Sequence, residues 1–335
     1  MFLQKQNNQI KKTDGSMRKN VYCRFGTPEV YAHKLKEKAF YAMDQVRKKL
    51  KADYAHRKGI TGRGVTVAVM DTGIAVHPDF DNRILKFTDF TQGRTRIYDD
   101  NGHGTHVAGI IAGSGKMSHG IYMGMAPESN LFVTKVLDRK GNGNTYQVLK
   151  AIDHVIENKK KYNIRILNIS VGMLPTADEE EKKNLMQAVE RAWKSGIVVV
   201  AAAGNNGPMK NSVTIPGQCR SIITVGSIDD YMGQKKGLKK GYSGRGPTEC
   251  CVVKPEILAP GTSVKSCSLR GNAYEIKSGT SMSAPVISGA LALLLQKYPA
   301  MTPAEVKLRL YERAVKLEEA GGRNYWGVVY LNRLL

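Results

Sequence analysis

Short, unbroken runs of β-branched and small apolar residues recur along the chain, separated by segments whose apolar positions repeat at helical spacing. Gly64–Met70, which ends against Asp71, is the first such run. Asn130–Leu137, Ile164–Val171, Ile197–Ala203 and Ser221–Ile228 follow it, and each predicts a buried strand. Between them, His103–Ala112 is small and apolar and suits a buried helix, while Tyr146–Asn158 and Glu179–Lys194 carry an amphipathic helical pattern. Ser281–Lys297 predicts a long apolar helix, and Pro303–Ala314 a terminal amphipathic one with proline at its start. Strands that are apolar on both faces and alternate with helices predict an α/β fold. The expected form is doubly wound, with a mostly parallel central sheet and helices on both faces. Ligands of such sheets bind beyond the carboxyl ends of the strands, so the chemistry is expected there.

The N-terminal part of the chain follows a different pattern. Residues 1–30 are polar and basic, without a regular apolar period. From Pro28 to about Ala55, the residues Val30, Leu35, Ala39, Phe40, Met43, Val46 and Leu50 line one face of a predicted helix. The chain is therefore divided into a basic extension, residues 1–37, expected to act as a short propeptide, and one large domain, residues 38–335.

The composition is that of an ordinary globular protein, 41% hydrophobic and 24% charged. No apolar run approaches the roughly 18 residues of a membrane span, so no membrane partner is expected. The N-terminus has no apolar core of a secretory signal, which points to a cytoplasmic location. Five cysteines, an odd number with no CxxC pair, argue against a disulfide framework and against zinc. The net charge is +22, and the first 58 residues hold fifteen Lys and Arg against five Asp and Glu. The basic clusters lack interleaved aromatics and match no nucleic-acid-binding motif, so they read as solvated surface rather than as a nucleic-acid interface.

Four clusters carry candidate chemistry. Asp71-Thr72-Gly73 follows a buried strand, where a carboxylate needs a cation or N–H donors, or else serves as a turn residue. His103 stands between two glycines in Asn101-Gly-His-Gly-Thr-His-Val-Ala-Gly109; His106 follows it without the intervening Glu and spacing of a zinc helix, and reads as structural. Asn205 ends the run Val198–Gly204, where it is either a turn former or a donor aimed into a cleft. Ser281, in Ser278-Gly-Thr-Ser-Met-Ser-Ala-Pro285, lies at the start of an apolar helix whose N–H groups favour developing negative charge, with Ser283 as the competing hydroxyl.

These motifs, in the order Asp, His, Asn, Ser, resemble those of the subtilisin family, and the resemblance runs from about Ala55 to Leu317. Lys254-Pro-Glu-Ile-Leu-Ala-Pro-Gly261 is similar to the family segment before the serine. The resemblance implies a serine endopeptidase with Ser281 as nucleophile, His103 as general acid/base, Asp71 orienting it, and Asn205 in the oxyanion hole. It implies that a peptide or protein substrate binds as an extended strand between Gly141-Asn142-Gly143 and Ser170-Val171-Gly172. Ala202, Ala203 and Gly204 would form one wall of the first specificity pocket, with room for a large apolar residue. The N-terminal extension is a further expected ligand, acting in cis.

The chain departs from the family in two places. Val286 stands where many members have histidine, and Gly113–Gly124 lacks the Asn and Asp cluster of the calcium loop in secreted relatives. No cofactor is therefore expected to be required. Asp79, Asp99 and Asp100 are the weak candidates for calcium.

Overall fold

The computed structural model describes residues 41–172, 178–230, 241–249, 253–317 and 325–335. The eleven strands among them are β1 (Tyr41–Ala42), β2 (Thr66–Asp71), β3 (Ile84–Asp89), β4 (Asn130–Lys135), β5 (Ile164–Ile169), β6 (Val198–Ala202), β7 (Ile223–Ser227), β8 (Ile257–Ala259), β9 (Val264–Cys267), β10 (Tyr274–Lys277) and β11 (Gly327–Val328). The α-helices are α1 (Met43–Lys49), α2 (Asp53–His56), α3 (His103–Ala112), α4 (Thr145–Tyr162), α5 (Glu179–Lys194), α6 (Thr280–Lys297), α7 (Pro303–Arg313) and α8 (Leu331–Leu334).

Eight strands form the central sheet in the order β11-β8-β7-β6-β5-β2-β4-β3, and every adjacent pair is parallel. The doubly wound fold expected from the apolar pattern is thus present. Alternate side chains of the central strands β2 and β6 enter opposite cores. Val67 and Val69 of β2 and Val198 and Val200 of β6 pack on the side of α3 and α6. Ala68, Met70, Val199 and Ala201 pack against α4 and α5. A strand covered on both faces has no polar face to show, so it reads as an unbroken apolar run. Helix α6 is buried from Met282 to Leu295 and fills the centre of the first core.

From β2 the chain crosses to the edge strand β3, comes back to lay β4 between them, and then places β5 on the other side of β2. The crevice beyond β2 and β5 is therefore the switch point of the sheet, the place where such folds bind ligands. A second, three-stranded sheet, β1-β9-β10, pairs β1 parallel to β9 and β9 antiparallel to β10.

The N-terminal helix differs from expectation in its described part. It ends at Lys49, Lys51 takes a left-handed φ of 57°, and a separate turn, α2, follows. Met43, Val46 and Leu50 are fully buried as their spacing predicts. The earlier positions of that face, and the boundary at residue 37, lie outside the described residues. Among the described residues no helix is long and apolar enough to cross a membrane, and Cys219 and Cys267 are free and buried.

Candidate active site

Asp71 is the last residue of β2 and has no solvent exposure. One of its oxygens accepts hydrogen bonds from His103 Nδ1 at 2.7 Å and from the Thr72 N–H at 2.7 Å. Because a carboxylate oxygen can only accept, Nδ1 carries the hydrogen, and the lone pair of neutral His103 is left on Nε2. Burial disfavours the charged ring, but the charge of Asp71 and its hydrogen bond outweigh it, and the His103 pKa stands above its ordinary value.

His103 can approach Asp71 because its neighbour is glycine. A Cβ on Gly104 would lie 2.2 Å from the Gly73 carbonyl oxygen and 3.1 Å from the Asp71 Cβ. Asp99 locks this contact. Its carboxylate accepts from the Thr72 hydroxyl at 2.9 Å, from the N–H groups of Asn101, Gly102 and Thr105, and from the Thr105 hydroxyl at 2.6 Å. Thr72 Oγ1 in turn accepts from the Gly104 N–H at 2.9 Å. Burial works against the charge of Asp99, yet these donors hold its pKa below the ordinary carboxylate range.

Ser281 occupies the first turn of α6. Its hydroxyl donates to the Ser170 carbonyl at 2.8 Å, and the Ser170 hydroxyl donates back to the Ser281 carbonyl at 3.2 Å. The sequence explains the second bond. Pro285 sits inside the helix four residues on, and proline has no N–H to give to the Ser281 carbonyl. Ser170 supplies that donor and is held by Asn168 Nδ2 at 2.9 Å. Ser283 is fully buried and donates to the Ala259 carbonyl at 3.0 Å, so it presents no hydroxyl to solvent.

Asn205 is exposed beyond the end of β6. Its Oδ1 accepts from the Thr280 N–H at 3.0 Å and the Thr280 hydroxyl at 3.2 Å. With its oxygen engaged by Thr280, the NH₂ is the donor end of the amide. The Ser281 N–H belongs to the first helical turn, which has no intrahelical acceptor.

The first segment expected to pair with substrate is a tight hairpin. Leu137 and Gly143 form an antiparallel bridge, closed by the Asp138 N–H donating to the Asn142 carbonyl at 2.8 Å. In such a pair the N–H and C=O of Gly143 itself face away from the hairpin. The N–H groups of Gly141 and Asn142 are engaged within the turn by Asp138, so Gly143 offers the free edge. Across the crevice, Ser170 is buried, Val171 half-buried and Gly172 exposed.

Of the residues expected to line the first specificity pocket, Ala202 and Ala203 are buried and Gly204 is half-buried. Sequence reasoning missed Thr214. Its side chain stands between two backbones, since a Cβ on Gly204 would lie 2.4 Å from Thr214 Cγ2 and a Cβ on Gly172 would lie 2.7 Å from Thr214 Oγ1. Gly204 also has a φ of +87°, which a side chain would strain.

Protein donors hold the three calcium candidates. Asp99 is the clamp just described, and Asp100 pairs with Lys135 at 2.7 Å. Asp79 accepts from the Met117 N–H at 3.0 Å and the Tyr274 hydroxyl at 2.8 Å. His77 and Cys267 lie close to Asp79. However, His77 Nδ1 already accepts from the Asp79 N–H, and burial pushes the Cys267 thiol well up, which keeps it neutral. In the 113–124 loop, Arg47 donates to the carbonyls of Met123 and Gly120. Asp79, Asp99 and Asp100 thus each have protein partners, and they sit in separate hydrogen-bond networks.

The model of the subtilase family matches residues 62–328. This chain belongs to the subtilase family. It is 42% identical over 267 residues to the serine protease AprX of Bacillus subtilis strain 168, across 74% of this chain and 60% of that protein. It thus spans about three-fifths of AprX. It is 35% identical to subtilisin DY of Bacillus licheniformis, across 84% of this chain and 94% of that one. Among solved structures it resembles sphericase, with a TM-score of 0.67 and 31% identity over 79% of this chain and 88% of that chain.

Proposed function

We propose that this chain is a serine endopeptidase acting through an acyl-enzyme on Ser281. The observation that carries the proposal is the Asp71–His103 hydrogen bond of 2.7 Å, made at the switch-point end of a subtilase sheet. The Ser281 hydroxyl leaves the Ser170 carbonyl and gives its proton to His103 Nε2 as Oγ bonds to the peptide carbonyl carbon. His103 then hands that proton to the leaving amine as the C–N bond breaks, and water repeats the cycle to release the acyl group. Asp71 stabilises the imidazolium formed in each step. Asn205 Nδ2 and the Ser281 N–H receive the oxyanion.

Substrate binds as an extended strand between Gly143 and the segment Ser170–Gly172, recognised largely through main-chain hydrogen bonds. Ala202, Ala203 and Gly204 select an apolar residue before the scissile bond. Thr214, filling the space between Gly172 and Gly204, makes that pocket shallower than its small walls alone imply. Alanine to leucine is therefore favoured there over phenylalanine, and lysine is disfavoured.

In the same reading the N-terminal extension is a ligand in cis, lost on activation. Its support is the point of entry of the chain: Tyr41 pairs with Val264, Val264 with Lys277, and β10 runs on toward Ser281. A truncation starting near Lys36 that is no more active than the full chain argues against that role.

The decisive test is Ser281→Ala beside Ser283→Ala. Ser281→Ala loses turnover of a denatured protein and fluorophosphonate labelling while its circular dichroism is unchanged. Labelling that survives in Ser281→Ala refutes the assignment.

A further inference from the structure

We propose that Lys135 is a positioning residue for substrate binding, coupling the Asp71 loop to the substrate-pairing edge at Gly143. The inference rests on the reading of Gly143 as a partner of the substrate strand. Lys135 ends β4, directly opposite Asp71 of β2 and Asp89 of β3. Its side chain is wholly buried. The ammonium donates to the Thr72 carbonyl at 2.7 Å, to Asp100 Oδ1 at 2.7 Å and to the Leu137 carbonyl at 2.8 Å. All three hydrogens are thereby used. The Tyr98 ring covers the remaining side, with its centre 4.9 Å from Nζ.

The three acceptors belong to three functional segments. Thr72 follows Asp71, Asp100 precedes His103, and Leu137 opens the hairpin that closes at Gly143. A buried ammonium costs stability unless fully paired, and an apolar side chain of similar size would fill the strand end more cheaply. What lysine adds is a donor to two carbonyls that, among the described residues, no main-chain N–H outside the helices and strands reaches. Past β4 the N–H groups of Val136 and Leu137 both turn to the Asp71 carbonyl, at 2.9 and 3.3 Å. The Leu137 carbonyl points to the same side, where Lys135 holds it. Both main-chain groups of Leu137 thus face the Asp71 loop, and Gly143, across the bridge, directs its own groups outward to a substrate. Without the ammonium, the carbonyls of Thr72 and Leu137 are left buried without a donor, and the base of the hairpin moves to find water. His103 and Ser281 are not touched by Lys135, so the chemical step itself keeps its groups.

The experiment compares the wild-type chain, Lys135→Met and Lys135→Arg on peptide anilides of increasing acyl-side length that share one residue before the scissile bond. Fluorophosphonate inactivation serves as the length-independent readout. In the wild type, kcat/KM rises once the acyl side is long enough to reach Gly143. Lys135→Met flattens that rise, with a loss of about tenfold or more on the longest substrate, carried mainly by KM. The shortest substrate and the inactivation rate change by less than about threefold. Lys135→Arg keeps donors in place and recovers part of the rise. A folded Lys135→Met with an unaltered length profile overturns the proposal, and so does an equal loss at every length. A wild-type enzyme with no length dependence instead refutes the substrate-strand reading, and this inference falls with it. If Lys135→Met does not fold, Asp100→Asn decides. It removes the anionic partner while leaving the ammonium, and should raise KM about threefold on the longest substrate alone; an unchanged KM overturns the proposal.

Discussion

His103 and His106 lie one turn apart on α3, and their surroundings act on them in opposite ways. His103 opens the helix, keeps a quarter of its side chain exposed, and gives its ring N–H to the Asp71 carboxylate. His106 is fully buried and gives its ring N–H to the carbonyls of Val264 and Glu275, at 3.1 and 3.2 Å. Its other ring nitrogen has no hydrogen-bond partner among the described residues. The His103 pKa is raised, whereas burial, with smaller contributions from Lys277 and His103, drives that of His106 down to about 3. A carboxylate stabilises the cation that appears when the ring takes a proton, and neutral carbonyls in a dry pocket do not. His103 is equipped to cycle a proton. His106 can only pin β9 and β10 to the helix.

Replacing His103 by alanine should remove nearly all turnover. In subtilisin, removing the catalytic histidine costs roughly a million-fold in turnover, and a loss of that order is expected here with the melting temperature nearly unchanged. Measurable turnover close to wild type would place the proton transfer elsewhere. Asn205 belongs with His103, since it is exposed and it is its amide oxygen, not its NH₂, that accepts from the helix. Asn205→Ala should lower kcat by roughly 100- to 1,000-fold with KM little changed, the range known for this donor in subtilisin. A change confined to KM would remove it from the oxyanion hole.

His106→Ala should do the reverse. Leaving two buried carbonyls without their donor lowers the unfolding free energy by about 1–3 kcal/mol, while kcat/KM of the folded fraction stays within about tenfold of wild type. Denaturant unfolding and active-site titration measure the two separately. A variant as stable as wild type but inactive would erase the distinction between the two histidines.

The smallest effect is a tilt with pH, and it has opposite signs at the two residues. The raised pKa of His103 places the acid limb of kcat/KM above the ordinary imidazole value of about 6.5, because only the neutral ring accepts the serine proton. The same shift makes His103 contribute stability below pH of about 6.5 that is lost as pH rises through its folded pKa. For His106, whose folded pKa is depressed to about 3, the stability is present above about 6.5 and is lost as pH falls toward that folded value. An activity limb below about 6.5, or a stability slope between pH 6 and 4 that His106→Ala does not reduce, would contradict the assignment.

Most of the central sheet was legible in the chain because its strands are covered on both faces and leave unbroken apolar runs. The edge strand β3 escaped notice because it shows Leu85 and Lys86 to solvent. The β9–β10 hairpin escaped because its strands are four residues long and mix apolar and polar residues as loops do. At the site, Asp71, His103, Asn205 and Ser281 could be picked out because each sits beside its own glycine, strand end or helix start.

What the linear sequence determined by itself was the set of regular elements and the residues able to do chemistry. Those depend on local periodicity and on which side chains can ionise or attack. Only the tertiary structure decided how these residues are held. Asp99 was a calcium candidate in the sequence and is a clamp on α3 in the fold. Lys135 was one charge inside an apolar strand and became the donor for three loops. Thr214 had no signal at all before it was found between Gly172 and Gly204. The Ser170 hydroxyl serves the carbonyl that Pro285 leaves unpaired, 111 residues away in the chain. The physical reason is common to Asp99, Lys135 and Ser170. A buried polar group must find a partner wherever the fold brings one, and nothing in the local pattern says which distant backbone that will be.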